Sequence, residues 1–244
     1  MKSLNKVLLA AALALSVTLT YAKPLPVAKA YSIEIQDRHL SGFSSVNVAG
    51  SFDVYITQGS TESVKVEADD EVIDKIITEV KGGVLKIYTK STNGFSWNWS
   101  GDRKRVVRVT AKDLSAISLT GSGDVYFKDG IRTQNLIVNL SGSGDITGKI
   151  DVKNLQTAVV GSGDITLTGR ADNSVVKVSG SGDYSGRNLI SINATVRVVG
   201  SGDASVNVSD KLDASVAGSG DVHYTGAAKN VATSKSGSGD ISKF

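Results

Sequence analysis

An all-β fold, a parallel β-solenoid with coils of about 19 residues, is what this 244-residue sequence predicts. Three observations carry the expectation. Gly-Ser-Gly-Asp occurs seven times, starting at Gly121, Gly142, Gly161, Gly180, Gly200, Gly218 and Gly237, at spacings of 21, 19, 19, 20, 18 and 19 residues. Self-similarity at such a period marks stacked repeats. Apolar and polar residues alternate on the approach to every copy, which is the period of a half-buried strand. No stretch of this half has helical periodicity of useful length.

In chain order, residues 1–22 read as a secretory signal peptide. Lys2 and Lys6 supply the positive end, Val7 to Leu19 an apolar run too short to span a bilayer, and Thr20 and Ala22 small residues at a cleavage site. Losing this leader takes two lysines from 27 basic residues, leaving 25 against 24 acidic ones, so the mature chain is close to neutral. Pro24 and Pro26 place an extended lead-in at 23–39.

Residues 40–114 form the N-terminal β part of the same domain. Gly50-Ser51-Phe52-Asp53 is a degenerate copy of the repeat, with strand patterns on both sides at Val46, Val48, Val54 and Ile56. Val64 and Val66 alternate with Lys65 and Glu67. Glu71 to Ile77 suits a short helical turn, and Gly82-Gly83 suits a two-residue hairpin turn. Val106 to Val109 is a further strand. This part is expected to continue the solenoid's sheets and to cover one end.

Residues 115–244 are the repeat solenoid. Two residues before each motif stand Leu119, Leu140, Val159, Val178, Val198 and Val216, then Lys235. Directly after each Asp stand Val125, Ile146, Ile165, Tyr184, Ala204, Val222 and Ile241, which implies a second short strand per coil. One coil buries nothing alone, so coils must pair in parallel around a column of Val, Ile and Leu. At about 4.8 Å per coil, seven coils span roughly 30 Å. Lys235 at an inward position implies a polar last coil that blunts the open edge.

The motif glycines are expected at a corner where a side chain would clash or φ is positive. The seven aspartates, Asp124, Asp145, Asp164, Asp183, Asp203, Asp221 and Asp240, then stack as a ladder. Two charges 4.8 Å apart repel by about 0.9 kcal/mol even at the dielectric of water, so the ladder needs compensation. Each carboxylate either accepts N–H bonds in an Asx-type turn or shares calcium. The structural turn is the preferred reading, because calcium takes six to eight oxygens; no other cofactor is indicated.

Several segments together resemble one family. They are Gly50 to Gly59 (GSFDVYITQG), Val64 to Asp70 (VKVEADD), Thr78 to Ile87 (TEVKGGVLKI) and the Gly-Ser-Gly-Asp series. The chain is similar there to the family called putative auto-transporter adhesin, head GIN domain, over about residues 40 to 240. The resemblance implies an exported bacterial protein with a right-handed β-helix and carries over no catalytic residues. This sequence has no membrane-barrel segment to go with the word auto-transporter.

Composition narrows the function. With no cysteine, disulfides, thiolate catalysis, cysteine zinc sites and a lipid-anchored N-terminal cysteine are excluded. The two histidines, His39 and His223, are far apart in sequence, and a net charge of +3 is not a nucleic-acid footprint. The mature chain is not expected to span a membrane. The leading reading is a non-enzymatic solenoid of the periplasm, cell surface or medium, used for adhesion or scaffolding. An enzyme acting on polysaccharide is the weaker reading: it needs paired carboxylates in a groove, and coils this uniform leave little loop to build one. Asp69, Asp70 and Glu71 read as a solvated turn.

One further segment stands out. Phe95, Trp97 and Trp99 alternate with polar residues and precede Arg103, Lys104 and Arg105. Period two places the aromatics on one face. They form either a platform for sugar rings or a partner protein, with Arg103 meeting an anionic group, or a cover over an apolar end of the core. A cell-surface glycan or protein is therefore the expected partner class.

Overall fold

The computed structural model describes residues 32–90 and 105–244; the leader at 1–22, most of the lead-in, and the aromatic segment with Phe95, Trp97, Trp99 and Arg103 lie outside the described residues. The N-terminal part contains β1 (Ile33–Asp37), β2 (Ser45–Gly50), β3 (Asp53–Gln58), β4 (Ser63–Asp69), a 3₁₀ turn (Ile73–Lys75), β5 (Ile76–Lys81), β6 (Val84–Thr89) and β7 (Arg105–Ala111). The repeat part contains β8 (Ala116–Gly121), β9 (Asp124–Gly142), β10 (Ile146–Gly161), β11 (Ile165–Gly180), β12 (Tyr184–Gly200), β13 (Ala204–Gly218), β14 (Val222–Thr225), β15 (Asn230–Gly237) and β16 (Ile241–Lys243).

The repeats stack as parallel coils of about 19 residues into a β-solenoid of about 7 turns. One row of the register runs Val48, Leu119, Leu140, Val159, Val178, Val198, Val216, Lys235. These are the residues two before each motif, and all but Lys235 are buried. The row after the motif is buried from Val125 to Val222, and it mixes sizes: Tyr184 stands between Ile165 and Ala204, so a large ring is matched by a small neighbour. In the same way the Phe127 ring fills the space left by Gly148, its partner in the next coil.

The coils differ from the expectation of two short strands each. Strands β9 to β13 run unbroken from one motif to the next, for 19 residues in β9 and 15 in β13. Register shifts fall between some successive coils, as between Thr166 and Gly169 or Gly186 and Ile190, while β10 and β11 pair without one. A bulge bends a strand while the neighbouring ladder bonds persist, so the chain changes direction without leaving the sheet.

The N-terminal part extends the same sheet. β2 pairs in parallel with β8, and β3 with β9 and β7, so Gly50 stacks on Gly121 and Asp53 on Asp124. Beyond them the pairing turns antiparallel, through β7, β4 and β1 on one path and β6 and β5 on the other. Gly82 and Gly83, at φ 59° and 74°, make the β5–β6 turn between Lys81 and Val84. The acidic cluster runs from the end of β4 into a turn, and it is not solvated throughout. Asp69 pairs with Ile33 of β1 and is only 5% exposed, while Asp70 accepts a hydrogen bond from the Ser32 hydroxyl. At the other end all eight residues of β15 are exposed.

Candidate functional site

The Gly-Ser-Gly-Asp corner is the feature that every coil repeats. Its first glycine has φ between 115° and 135° in each copy, a region that glycine alone enters without strain. Its second glycine fails as alanine for another reason: a Cβ on Gly144 would overlap the carbonyl oxygen of Gly123 one coil below, and the same holds coil after coil. The glycines are required because the backbones approach along the stacking axis.

That approach places the aspartates. The Asp145 N–H donates to Asp124 Oδ1 at 3.1 Å, Asp164 to Asp145 at 3.0 Å, Asp183 to Asp164 at 2.8 Å, and Asp203, Asp221 and Asp240 each to the preceding aspartate at 2.7 Å. The bonds therefore run between coils and do not close a local Asx turn. A carboxylate that accepts a backbone N–H has its charge partly compensated, and each one ties the next coil to itself. Asp240 has no further aspartate above it; Lys235 Nζ lies 3.1 Å from its Oδ1 and holds its pKa below the usual carboxylate range.

The other end of the ladder is closed by aromatics. Tyr126 donates from its hydroxyl to Asp124 Oδ2 at 3.0 Å. Its ring stacks on Tyr55, centroids 5.1 Å apart, and each ring has a cation 5.1 Å from its centre, Arg108 at Tyr55 and Lys128 at Tyr126. Burial, then the bond to Asp124, push the Tyr126 phenol up to about 12. Burial and the neighbouring Asp124 also raise the pKa of Asp53, whose carboxylate does not receive the Asp124 N–H; that bond goes to the Phe52 carbonyl. Next to this end, a hollow of about 320 Å³ is lined by Gln58, Asp129, Gly130, Arg132, Lys149 and Asp151. Gln58 braces it, bonding the carbonyls of Lys112 and Arg132 and accepting the Arg132 N–H.

A second ladder is built from asparagines. Asn154 donates to Asn135, Asn173 to Asn154 and Asn193 to Asn173, at 2.8 to 3.0 Å. Its signal is the same residue at spacings of 19, 19 and 20. The tyrosine pair had a signal as well, since Tyr55 and Tyr126 each follow the motif aspartate by two. The seven ladder aspartates are brought together as one row. The aromatic candidates Phe95, Trp97, Trp99 and Arg103 are outside the described residues. Among the described residues no group of three His, Cys, Asp or Glu side chains is arranged to hold a metal ion.

A family model described as putative auto-transporter adhesin, head GIN domain, matches residues 42–228. Solved structures share the fold. A putative adhesin from Bacteroides fragilis is 25% identical, with TM-score 0.78, over 88% of this chain and 98% of that one. A protein from Parabacteroides distasonis described as a putative lipid binding protein is 27% identical, with TM-score 0.71, over 87% of this chain and 96% of that one. A putative adhesin from Parabacteroides merdae, 19% identical with TM-score 0.70, covers 87% of this chain and 96% of its own. Among curated proteins none matches the chain.

Proposed function

Because the chain belongs to the family described as putative auto-transporter adhesin, head GIN domain, we propose that it is an exported, non-enzymatic β-solenoid that serves adhesion or scaffolding at the bacterial envelope or surface. The observation that carries this reading is the ladder: the recurring carboxylates Asp124 to Asp221 each hold the backbone of the next coil. Residues committed to holding backbone are poorly placed to transfer protons, and the same bonds make a stiff body with regular exposed rows. The adhesin descriptions of its structural relatives support the same role. The aromatic row at Phe95, Trp97 and Trp99, with Arg103, is the proposed contact for a cell-surface glycan or protein partner.

Fractionation of cells expressing the tagged chain tests export: the processed protein should appear in the envelope or medium, and a full-length product retained in the cytoplasm would sink the reading. Cells lacking the protein should lose attachment to a surface or to neighbouring cells. Replacing both Trp97 and Trp99 by Ala should abolish glycan binding with the melting temperature unchanged; a large loss of stability would instead assign the aromatics to covering the core.

A further inference from the structure

We propose that the sheet face leading into the motifs is a self-association surface whose occupant is a second copy of this chain. The face is made by β2, β8, the final third of β9 to β13, and β15. Across these eight strands the register is continuous up to the motif glycines, Gly50, Gly121, Gly142, Gly161, Gly180, Gly200, Gly218 and Gly237. The corner shifts of β9 to β12 all fall outside this stretch, so it is regularly paired throughout.

Its chemistry sets it apart. From β8 to β13 the outward positions carry only the charges of Lys177, Arg197 and Asp213. Between them stand short hydroxyl and methyl side chains, the amides of Asn139 and Gln156, and four exposed or half-exposed branched side chains: Val160 at 50%, Val199 at 41% and Ile137 at 38% exposure, with Val175 half-buried. The stretches after the motifs carry the aspartate ladder and Lys128, Lys149 and Arg187 instead. Charge gathers outside one edge of the face, in the Glu79–Lys81 pair of β5 beyond β6, while Lys235 of β15 stands in the inward row and pairs with Asp240. A charge-poor centre with a polar rim is how interfaces between identical chains are built.

The size fits one particular occupant. Eight strands about 4.8 Å apart and six residues long cover roughly 34 by 20 Å, near 700 Å² per copy, against about 800 Å² per partner in a stable interface.

The pattern is self-complementary. Along the stacking axis one outward row reads Ser141, Val160, Ser179, Val199, alternately small and branched. A twofold axis parallel to the strands, midway between β10 and β11, sets Val160 of one copy against Ser179 of the other and Val199 against Ser141. The next row follows: Lys177 meets Ala158, and Arg197 meets Asn139, whose amide oxygen can accept from the guanidinium. No like charges face each other. The two sheets then pack with their strands aligned, about 10 Å apart, and with antiparallel solenoid axes.

Light scattering on the purified protein tests this. The expected mass is twice that of one processed chain, which is below the 25.4 kDa of the full 244 residues. Val160→Lys should give single chains. Ile190→Lys, on a different side and 56% exposed, should stay paired. A single-chain mass at every concentration reached overturns the proposal, and so does a pair that survives Val160→Lys. A second readout holds if that variant misfolds: the chain has no cysteine, so Val160→Cys should cross-link into dimers with a short bis-maleimide while Ile190→Cys does not. Equal cross-linking of both overturns the proposal.

Discussion

Gly144 shows how one residue is dictated by its neighbours above and below. It is buried, and the space beside its Cα is occupied by the Gly123 backbone. Gly144→Ala must push two coils apart and should cost about 2–3 kcal/mol, a fall in Tm of roughly 5–10 °C for a chain of this size. Gly82 is the contrast. It has φ of 59° and open space around it, so Gly82→Asn, a residue that tolerates the left-handed region, should leave the melt within about 0.5 kcal/mol. Equal melting of the two variants would refute the stacking argument. Tyr126 is dictated by burial and by Asp124. Its folded pKa, about 12, lies above the ordinary phenol value, so the fold favours the protonated form. The stability this contributes is complete below about pH 10 and is lost as the pH rises through 12. The difference in tyrosinate absorbance between the parent and Tyr126→Phe should therefore titrate near 12; a difference centred at 10 would contradict the half-buried Tyr126–Asp124 bond.

The ladder belongs to the scale of the element, because its bonds exist only between successive strands. Asp164 Oδ1 accepts the Asp183 N–H at 2.8 Å. Asp164→Ala removes that acceptor and should destabilise by about 1 kcal/mol. Asp164→Asn keeps an oxygen in place and removes a charge from the row, so it should be neutral or stabilising. Thermal melts of the two variants separate the contributions: if Asn costs as much as Ala, charge rather than the acceptor oxygen is what holds the coils. The asparagine ladder runs from side chain to side chain through neutral amides, which both donate and accept, so its row needs no compensation.

At the scale of the whole molecule, the coils form one sheet from β1 to β16, and stability should follow stacking rather than any bound ion. Each ladder aspartate from Asp124 to Asp221 has one oxygen engaged with backbone, and Asp124 has its other oxygen bonded to Tyr126. Calcium takes six to eight oxygens, more than such a row offers at one point. Melts in EDTA and in millimolar calcium should coincide; a large upward shift with calcium would make the row a metal site. The N-terminal part is where the repeat rule ends. Phe52 replaces the second glycine of the motif and packs against Gly50, and the strands beyond it pair antiparallel, which ends the coil succession in mixed pairing.

The repeat period, the alternation before each motif and the residues of each row could be read directly, because stacking at a constant spacing forces one residue type to recur at one interval. The row from Val48 to Val216 and the ladder from Asp124 to Asp240 are such intervals. The hairpin at Gly82-Gly83 was legible for a local reason, since two residues fix that turn. The rest depends on which atoms meet between coils. That the carboxylates accept from the next coil rather than from their own turn, that the strands run unbroken through the corners, and that Asp69 is covered by β1 follow from register and close approach. Tyr55 and Tyr126 are 71 residues apart in the sequence and 5.1 Å apart in space, and the stacking of one coil on another is what brings them together.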